Sequence, residues 1–335
     1  MKRRNLVLAA LAITLAPSAL TPAFAQTAQI KESMAKDWPA KTVRIIVPFG
    51  PGSTPDIVAR LVSDALQAKY PQSAFVIENK PGASGNLGTD VVAKAAPDGM
   101  TLGVSIGGPL AINTLLFSKL PYDPAKDIAP VTQLITMPSV LAVNPDLDVK
   151  SVADLIALLK KNPGKYNFGS IGNGSLSHLT MEAIAQKSGA QLVHVPYPSS
   201  PAAMTALMRG DVQMAALPAI SVAPQADAGK ARILAVTLPQ RSPFLPDVPT
   251  LKESGIDVDA DTWMGLIAPG ATPPALIDAI NKDVVEAITS KAVREKLATQ
   301  LMEPVGKSPA DFRAVIEAEV ARWAPIIKAG DIKIN

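Results

Sequence analysis

Short apolar runs alternate with amphipathic stretches along most of the chain. Residues 43–47 are β-branched and apolar, which predicts a buried strand, and apolar residues recur at helical spacing over 56–70. The same order continues with a strand at 75–78, a helix at 89–96 and a strand at 101–105. This β-α-β-α-β order predicts a parallel sheet with helices on both faces.

A second series of the same kind follows in the middle of the chain. Its strands are predicted at 140–143, 166–168, 192–195, 212–216 and 232–237, and its helices at 152–162, 179–188 and 202–209. The C-terminal part then adds a strand at 263–268 and long helices at 274–290 and 309–329. Two series in a chain of this length predict an α/β protein with two lobes.

The N-terminus has the pattern of a secretory signal. A basic start at 2–4 precedes an apolar run at 6–16, and small residues stand two apart within 23–25. We expect residues 1–25 to be a cleaved signal peptide and 26–37 to be a flexible polar leader. Because the apolar run is shorter than the roughly 20 residues that span a bilayer, the mature chain is expected to be soluble and periplasmic.

Charge and composition exclude several classes of protein. The full chain carries 32 Lys and Arg against 29 Asp and Glu, and removal of the signal with its three basic residues leaves 29 against 29. A nucleic-acid partner is therefore not expected, since it would require a positive field. The chain has no cysteine and two histidines, so we expect no metal site, no cofactor and no cysteine-linked lipid anchor.

Two Gly-rich segments share one design. Loop one, residues 48–55, and loop two, residues 169–175, each follow a predicted strand and lead into a predicted helix. A helix N-terminus offers free N–H groups and about half a positive charge, and glycine lets the backbone approach a bound anion. The pair therefore favours an anion-binding site.

The two loops are also compatible with other interpretations. Each loop alone is also typical of a helix cap, since Ser, Thr, Asp and Gly are common capping residues. A phosphate loop needs a lysine after its last glycine, which neither loop has. A Ser175–His178 pair keeps an exported hydrolase open as an alternative, but no acid partner or oxyanion hole is marked. The chain is therefore predicted not to be an enzyme.

Eight short segments carry a family resemblance. They are PFGPGSTPD at 48–56, ENKPGASGN at 78–86, APDG at 96–99, LPYDP at 120–124, GNGS at 172–175, HVPY at 194–197, LPDVPT at 245–250 and EPVG at 303–306. In this order they resemble the Bug family, the solute receptors of tripartite tricarboxylate transporters. The resemblance covers nearly all of the chain from Trp38 onward.

The resemblance implies the type II periplasmic-binding-protein fold, with two βα lobes joined by crossover strands around a ligand cleft. Lobe 1 is expected to comprise 38–138 and 259–335, and lobe 2 to comprise 139–258. Members of the family bind mono- or dicarboxylates mainly through loop N–H groups and deliver them to membrane subunits of the transporter. A monomer is expected by the same resemblance. Presentation of the ligand to a sensor kinase remains an alternative.

The loops and the resemblance together suggest the ligand-binding residues. They are Phe49, Gly52, Ser53, Thr54, Pro55, Asp56, Ser84, Asn86, Ser170, Gly172, Gly174, Ser175, His178, Tyr197 and Leu217. Leu217 stands where amino-acid-binding members tend to carry an Asp, and an unpaired buried ammonium costs several kcal/mol. The expected ligand is therefore an aromatic or aliphatic carboxylate without an amino group, such as a terephthalate-like compound.

Overall fold

Eleven strands form two sheets in the structure, a computed structural model that describes residues 38–39 and 42–334. The predicted signal peptide (1–25) and leader (26–37) lie outside the described residues. The strands are β1 (Thr42–Val47), β2 (Ala74–Asn79), β3 (Thr101–Ile106), β4 (Ile128–Met137), β5 (Ser139–Val143), β6 (Asn167–Ser170), β7 (Val193–Pro196), β8 (Met214–Pro218), β9 (Arg232–Val236), β10 (Thr262–Pro269) and β11 (Glu303–Pro304).

Helices cover the sheets. They are α1 (Thr54–Lys69), α2 (Asn86–Ala93), α3 (Asn113–Leu116), α4 (Pro124–Asp127), α5 (Val152–Lys161), α6 (Leu176–Ser188), α7 (Ser200–Arg209), α8 (Ala219–Asp227), α9 (Pro274–Thr289), α10 (Lys291–Ala298) and α11 (Pro309–Ala329). A π-helical turn at Gly108–Ile112 precedes α3. No helix in the described part of the chain is both long and apolar enough to cross a membrane.

The two sheets repeat one arrangement. The first has the order β11-β4-β10-β3-β1-β2 and the second the order β7-β6-β8-β5-β9. In each, a central strand, β1 or β6, has a parallel neighbour on both sides, and the sheet then continues through an antiparallel strand, β10 or β5. Loops one and two follow these central strands, so each lies at the C-terminal edge of its own parallel trio, where ligands commonly bind in open α/β sheets.

The chain crosses between the sheets at two adjacent places. Pro138 alone separates β4 of the first sheet from β5 of the second, and the chain returns through 237–261 to β10. The N–H of Thr237 donates to the carbonyl of Ser139 at 2.9 Å, and the hydroxyl oxygens of Ser139 and Thr262 are 3.2 Å apart. The sheets thus divide near the predicted lobe limits, and the exact limits stay a prediction.

Each sheet has its own apolar core. Ile45, Leu102 and Leu266 belong to the first and Phe168 and Met214 to the second, all fully buried. Burial of such side chains contributes about 1.5–3 kcal/mol each.

The C-terminal helix α11 reaches both sheets. Near its start, Phe312 packs edge-on against Trp263 of β10, with ring centroids 5.5 Å apart. Near its end, Trp323 joins the second core. The segment after the helix returns to α3, where the N–H of Ile334 donates to the carbonyl of Leu116 at 3.0 Å. The last described residues are therefore held against the second sheet's core, and the assignment of 259–335 to lobe 1 stays a prediction.

Candidate ligand-binding cleft

A cleft of about 850 Å³ lies between the two sheets and contains parts of both loops. Apolar side chains such as Phe49, Met137 and Ile171 make up much of its wall, with hydroxyl groups between them. Among the described residues that line it there is no Lys, Arg or His, whereas Asp261 and Glu319 are present. An anion in this cleft would therefore depend on uncharged donors, namely backbone N–H groups, hydroxyls and the side-chain N–H groups of Asn and Trp.

Loop one enters α1 with its first helical turn available to a ligand. Ser53 occupies the N-cap, and Pro55 stands in the first turn. Proline lacks a backbone N–H, but no N–H is needed there because first-turn N–H groups have no partner within the helix. The N–H of Ile57 makes the first helical bond, to the carbonyl of Ser53 at 3.0 Å. The N–H groups of Thr54 and Asp56 precede it and have no partner within the helix.

Asp56 holds loop one from behind. Its carboxylate is 2% exposed and accepts hydrogen bonds from the N–H of Gly52 at 2.9 Å, from the Asn79 amide at 3.0 Å and from Arg60 at 3.0 and 3.1 Å. Burial opposes ionisation, but the bonds from Arg60, Gly52 and Asn79 hold the pKa of Asp56 below its usual value. The same Asn79 amide also donates to the carbonyl of Phe49 at 2.9 Å.

Loop two uses most of its own N–H groups internally. The N–H of Gly172 donates to the hydroxyl of Ser170 at 3.1 Å, and that of Gly174 donates to Nδ1 of His178 at 3.0 Å. The N–H groups of Ile171 and Ser175 are also bonded within the loop and the first turn of α6. Direct approach of the glycine backbone to the anion, expected from the sequence, stays a prediction. Gly172 and Gly174 supply positive φ angles of 117° and 70°, and in the first turn of α6 the N–H groups of Leu176 and Ser177 have no partner within the helix, whereas that of His178 is capped by Ser175.

Nine of the fifteen residues suggested by the sequence line the cleft. They are Phe49, Gly52, Ser53, Thr54, Pro55, Ser84, Gly172, Gly174 and Ser175. The structure thus brings together loop one, loop two and the turn at Ser84. That they bind a ligand stays a prediction.

The other six do not line the cleft. Asp56, Ser170 and His178 lie behind the loops and hold them in place. The side-chain oxygen of Asn86 is buried and accepts from Asn113 at 2.6 Å and from Tyr122 at 3.1 Å. Tyr197 packs against the second sheet, and its N–H donates to the carbonyl of Ser170 at 2.9 Å.

Leu217 is fully buried in the core behind the second sheet, where it pairs with Val140 across β8 and β5. In a strand buried on both faces, the apolar pattern does not tell which residues face a cleft. The neighbouring Pro218, Ile220 and Ser221 line the cleft instead. Leu217 is therefore not part of the cleft wall and gives no reason to exclude an amino group on the ligand.

The Ser175–His178 arrangement does not match a hydrolytic pair. The hydroxyl of Ser175 donates to the carbonyl of Gly172 at 2.7 Å and accepts from the backbone N–H of His178 at 3.3 Å, as a helix cap does. Nδ1 of His178 is occupied by the N–H of Gly174. A general base must accept a proton from its nucleophile, and no bond joins the Ser175 hydroxyl to this ring in the described structure.

The floor of the cleft contains acids that the sequence analysis missed. Glu319 on α11 is 2% exposed, and it accepts from Nε1 of Trp323 at 2.7 Å and from Arg322 at 3.0 Å. Burial raises the pKa of Glu319 to about 7 against the opposing effect of Trp323 and Arg322. Asp261, just before β10, also lines the floor and accepts from the Thr136 hydroxyl at 3.2 Å. No sequence motif marks these acids.

Within residues 38–39 and 42–334, no group of three or more His, Asp or Glu side chains is placed to hold a metal ion.

Comparison with known proteins identifies relatives along almost the full length. The family model for the tripartite tricarboxylate transporter family receptor, TctC, matches residues 58–332. Protein BugT of Bordetella pertussis is 36% identical over 315 residues, which cover 93% of this chain and 96% of BugT. This confirms the resemblance to the Bug family.

Solved structures of similar proteins share the fold. Rpa4515 of R. palustris with adipate is 35% identical with a TM-score of 0.78, covering 89% of this chain and 99% of that one. MatC (Rpa3494) from Rhodopseudomonas palustris with bound malate is 30% identical with a TM-score of 0.73, covering 87% and 100%. The periplasmic binding protein BugD is 27% identical with a TM-score of 0.73, covering 88% and 99%. The predicted two-lobed α/β fold is confirmed, and the chain belongs to the TctC family of tripartite tricarboxylate transporter receptors.

Proposed function

We propose that this chain is a periplasmic receptor that captures a small dicarboxylate between loops one and two and delivers it to the membrane subunits of a tripartite transporter. One observation carries the proposal. Two helix N-termini, those of α1 and α6, border one cleft whose described lining holds no basic side chain. Such a cleft recognises a carboxylate by N–H and hydroxyl groups rather than by ion pairs.

Two helix N-termini at one cleft favour a ligand with two anionic ends. One carboxylate would take the N–H group of Thr54 with the hydroxyls of Ser53 and Thr54, and the other would take the first-turn N–H groups of Leu176 and Ser177 in α6. Each charge-assisted hydrogen bond contributes about 1.5–3 kcal/mol, and a micromolar Kd requires about −8 kcal/mol, so two such clamps are sufficient. Two relatives whose structures were solved with adipate and with bound malate agree with this class of ligand.

The apolar wall favours an unsubstituted ligand body. Met137, Ile171 and Trp263 line the cleft between the loops, and they would pack against a hydrocarbon chain or an aromatic ring. Asp261 on the floor would attract an ammonium group. The proposed preference for a ligand without an amino group therefore rests on the apolar side chains of the wall. Comparison of adipate, terephthalate and 2-aminoadipate separates the contribution of the apolar wall from that of Asp261.

The experiment is a thermal-shift screen followed by calorimetry with adipate, malate, terephthalate, a tricarboxylate and 2-aminoadipate. A ligand at 100 times its Kd should raise the free energy of unfolding by about 2.7 kcal/mol. We expect adipate or terephthalate to bind and 2-aminoadipate to bind more weakly than adipate. Binding confined to uncharged solutes would overturn the carboxylate clamp, and tighter binding of 2-aminoadipate would overturn the preference for a plain body.

The role of loop one is tested with a pair of variants on one helix. Asp56→Asn weakens the acceptor that holds Gly52, whereas Asp64→Asn changes an exposed carboxylate on α1. We expect the first to lower affinity and the second to leave it unchanged.

Delivery and assembly need a separate measurement. Co-purification of the membrane subunits with the loaded receptor is expected, and recovery of a sensor kinase instead would favour the sensory role. Light scattering is expected to give a monomer.

A further inference from the structure

Two histidines lie flat against each other directly behind loop two. The rings of His178 and His194 have centroids 3.8 Å apart and planes at 8°, and Phe168 continues the stack at 4.9 Å from His194. His178 is 6% exposed, at the start of α6, and His194 is half-buried on β7. This pair, which we call the histidine stack, does not line the cleft.

Each ring of the histidine stack is connected to one glycine N–H of loop two. Nδ1 of His178 accepts the N–H of Gly174 directly at 3.0 Å. Nε2 of His194 lies 2.6 Å from the hydroxyl of Ser170, and that hydroxyl accepts the N–H of Gly172 at 3.1 Å. The two glycines with positive φ in loop two are therefore both oriented by this stack.

The contact between His178 and Gly174 requires one protonation state. Nδ1 accepts a hydrogen bond only through its lone pair, so the neutral ring must carry its proton on Nε2. Protonation of Nδ1 would place two N–H groups 3.0 Å apart, facing each other. The hydrogen bond would be lost, and Gly174 would have to move.

Few charges surround the stack. Oε1 of Glu182, one turn further along α6, lies 3.6 Å from Nε2 of His178 and is a charged group that faces the ring. The strands β6 and β8 pack against α6 and carry only uncharged residues. The helix α11 also contacts α6, where the Ile326 carbonyl accepts a hydrogen bond from the Gln186 side chain. Burial, and then the charge of His178, lower the pKa of His194 to about 4, against the opposing effect of Glu182.

We propose that His178 is a positioning residue whose neutral imidazole fixes loop two in its binding conformation, and that protonation of His178 releases Gly174 and weakens ligand capture. The second part rests on the proposed function, because it assumes that loop two binds the ligand. The ring acts through the backbone of Gly174 and does not touch the ligand. The receptor would therefore bind its carboxylate less tightly in acidic surroundings.

The decisive variants are His178→Asn and His178→Ala. The Asn side-chain oxygen stands near the position of Nδ1 and accepts a hydrogen bond at any pH, whereas Ala offers no acceptor. The readout is NMR of protein labelled with ¹⁵N-glycine, without ligand, titrated from about pH 8 to about pH 4.5. Gly255, in an exposed turn away from the stack, is the internal control.

In the wild type we expect the Gly174 amide to shift and to exchange faster with solvent as the His178 ring signal titrates, while Gly255 stays constant. In His178→Asn the Gly174 shift should be absent. The proposal is overturned if the His178 ring stays neutral through the range, if Gly174 does not follow it, or if Gly174 titrates equally in His178→Asn.

Calorimetry with adipate tests the link to capture. We expect affinity to fall about tenfold between the neutral and acidic ends for the wild type, to stay flat for His178→Asn and to be low throughout for His178→Ala. If Gly174 responds as expected but adipate does not bind at any pH, the choice of ligand fails and the positioning role stands. If adipate binds with the same pH dependence in wild type and His178→Asn, the link from the histidine to capture is refuted.

Discussion

Glu319 is a buried acid whose ionisation should lower the stability of the folded protein. Its carboxyl is 2% exposed, and burial raises its pKa from 4.5 to about 7. The folded state therefore holds a proton that the unfolded state releases between these values. Stability from this group is fully present below pH 4.5 and is lost as the pH rises through about 7. At 1.36 kcal/mol per pKa unit, the loss reaches about 3 kcal/mol on the alkaline side.

Replacement of Glu319 by Gln removes this titration while keeping the shape. We expect Glu319→Gln to match the wild type in urea unfolding near pH 5 and to exceed it by about 2–3 kcal/mol near pH 8. Glu317→Gln, at an exposed position on the same helix, is the matched control and should show no such divergence. A constant difference between Glu319→Gln and wild type across the pH range would refute the reasoning, because it would mean that Glu319 is ionised at both ends.

Three further outcomes follow from packing and charge. Gly174→Ala should weaken carboxylate binding in calorimetry, because the glycine has φ of 70° and a Cβ would collide with the Leu116 side chain; unchanged affinity would contradict this role for loop two. Gly265→Ala should lower the free energy of urea unfolding by at least about 1–3 kcal/mol, since its Cβ would overlap the Phe312 ring; wild-type stability would contradict the packing. The pKa of His194 is lowered to about 4, so the wild type should lose stability as the pH falls from 6.5 through 4. His194→Gln should lose less stability over that interval, and parallel curves of stability against pH for the two proteins would contradict the lowered pKa.

Local patterns were sufficient to predict most elements. The β-branched run at 43–47 and the helix at 309–329 were found within a residue of their observed limits, since a buried strand and a long amphipathic helix have strong periods. The ten-residue strand β4 was missed, because Pro130 interrupts its pattern and pairs at an irregular point opposite β10. The helix α8 was missed because it contains Pro224.

The cleft was predictable only where its parts are contiguous in sequence. Loops one and two are each predicted by a local pattern of a strand, small residues and the start of a helix. The floor could not be found in this way, because Asp261 and Glu319 come from segments separated by more than fifty residues and meet only in the folded chain. His178 was among the residues expected to bind the ligand. The structure places its ring behind loop two, where Nδ1 accepts from the N–H of Gly174, and this contact could not be read from the position of His178 in the helix.

The C-terminal end of the described chain offers a place to attach a reporter. Ile334 lines the cleft, its N–H is bonded to Leu116, and its side chain lies where a Cβ on Gly174 would be. A fluorophore joined just beyond this residue would therefore sense any rearrangement of loop two and would make the receptor a biosensor. Bulk added directly after Ile334 is expected to disturb this side of the cleft, so tags for affinity measurements are better placed before Trp38.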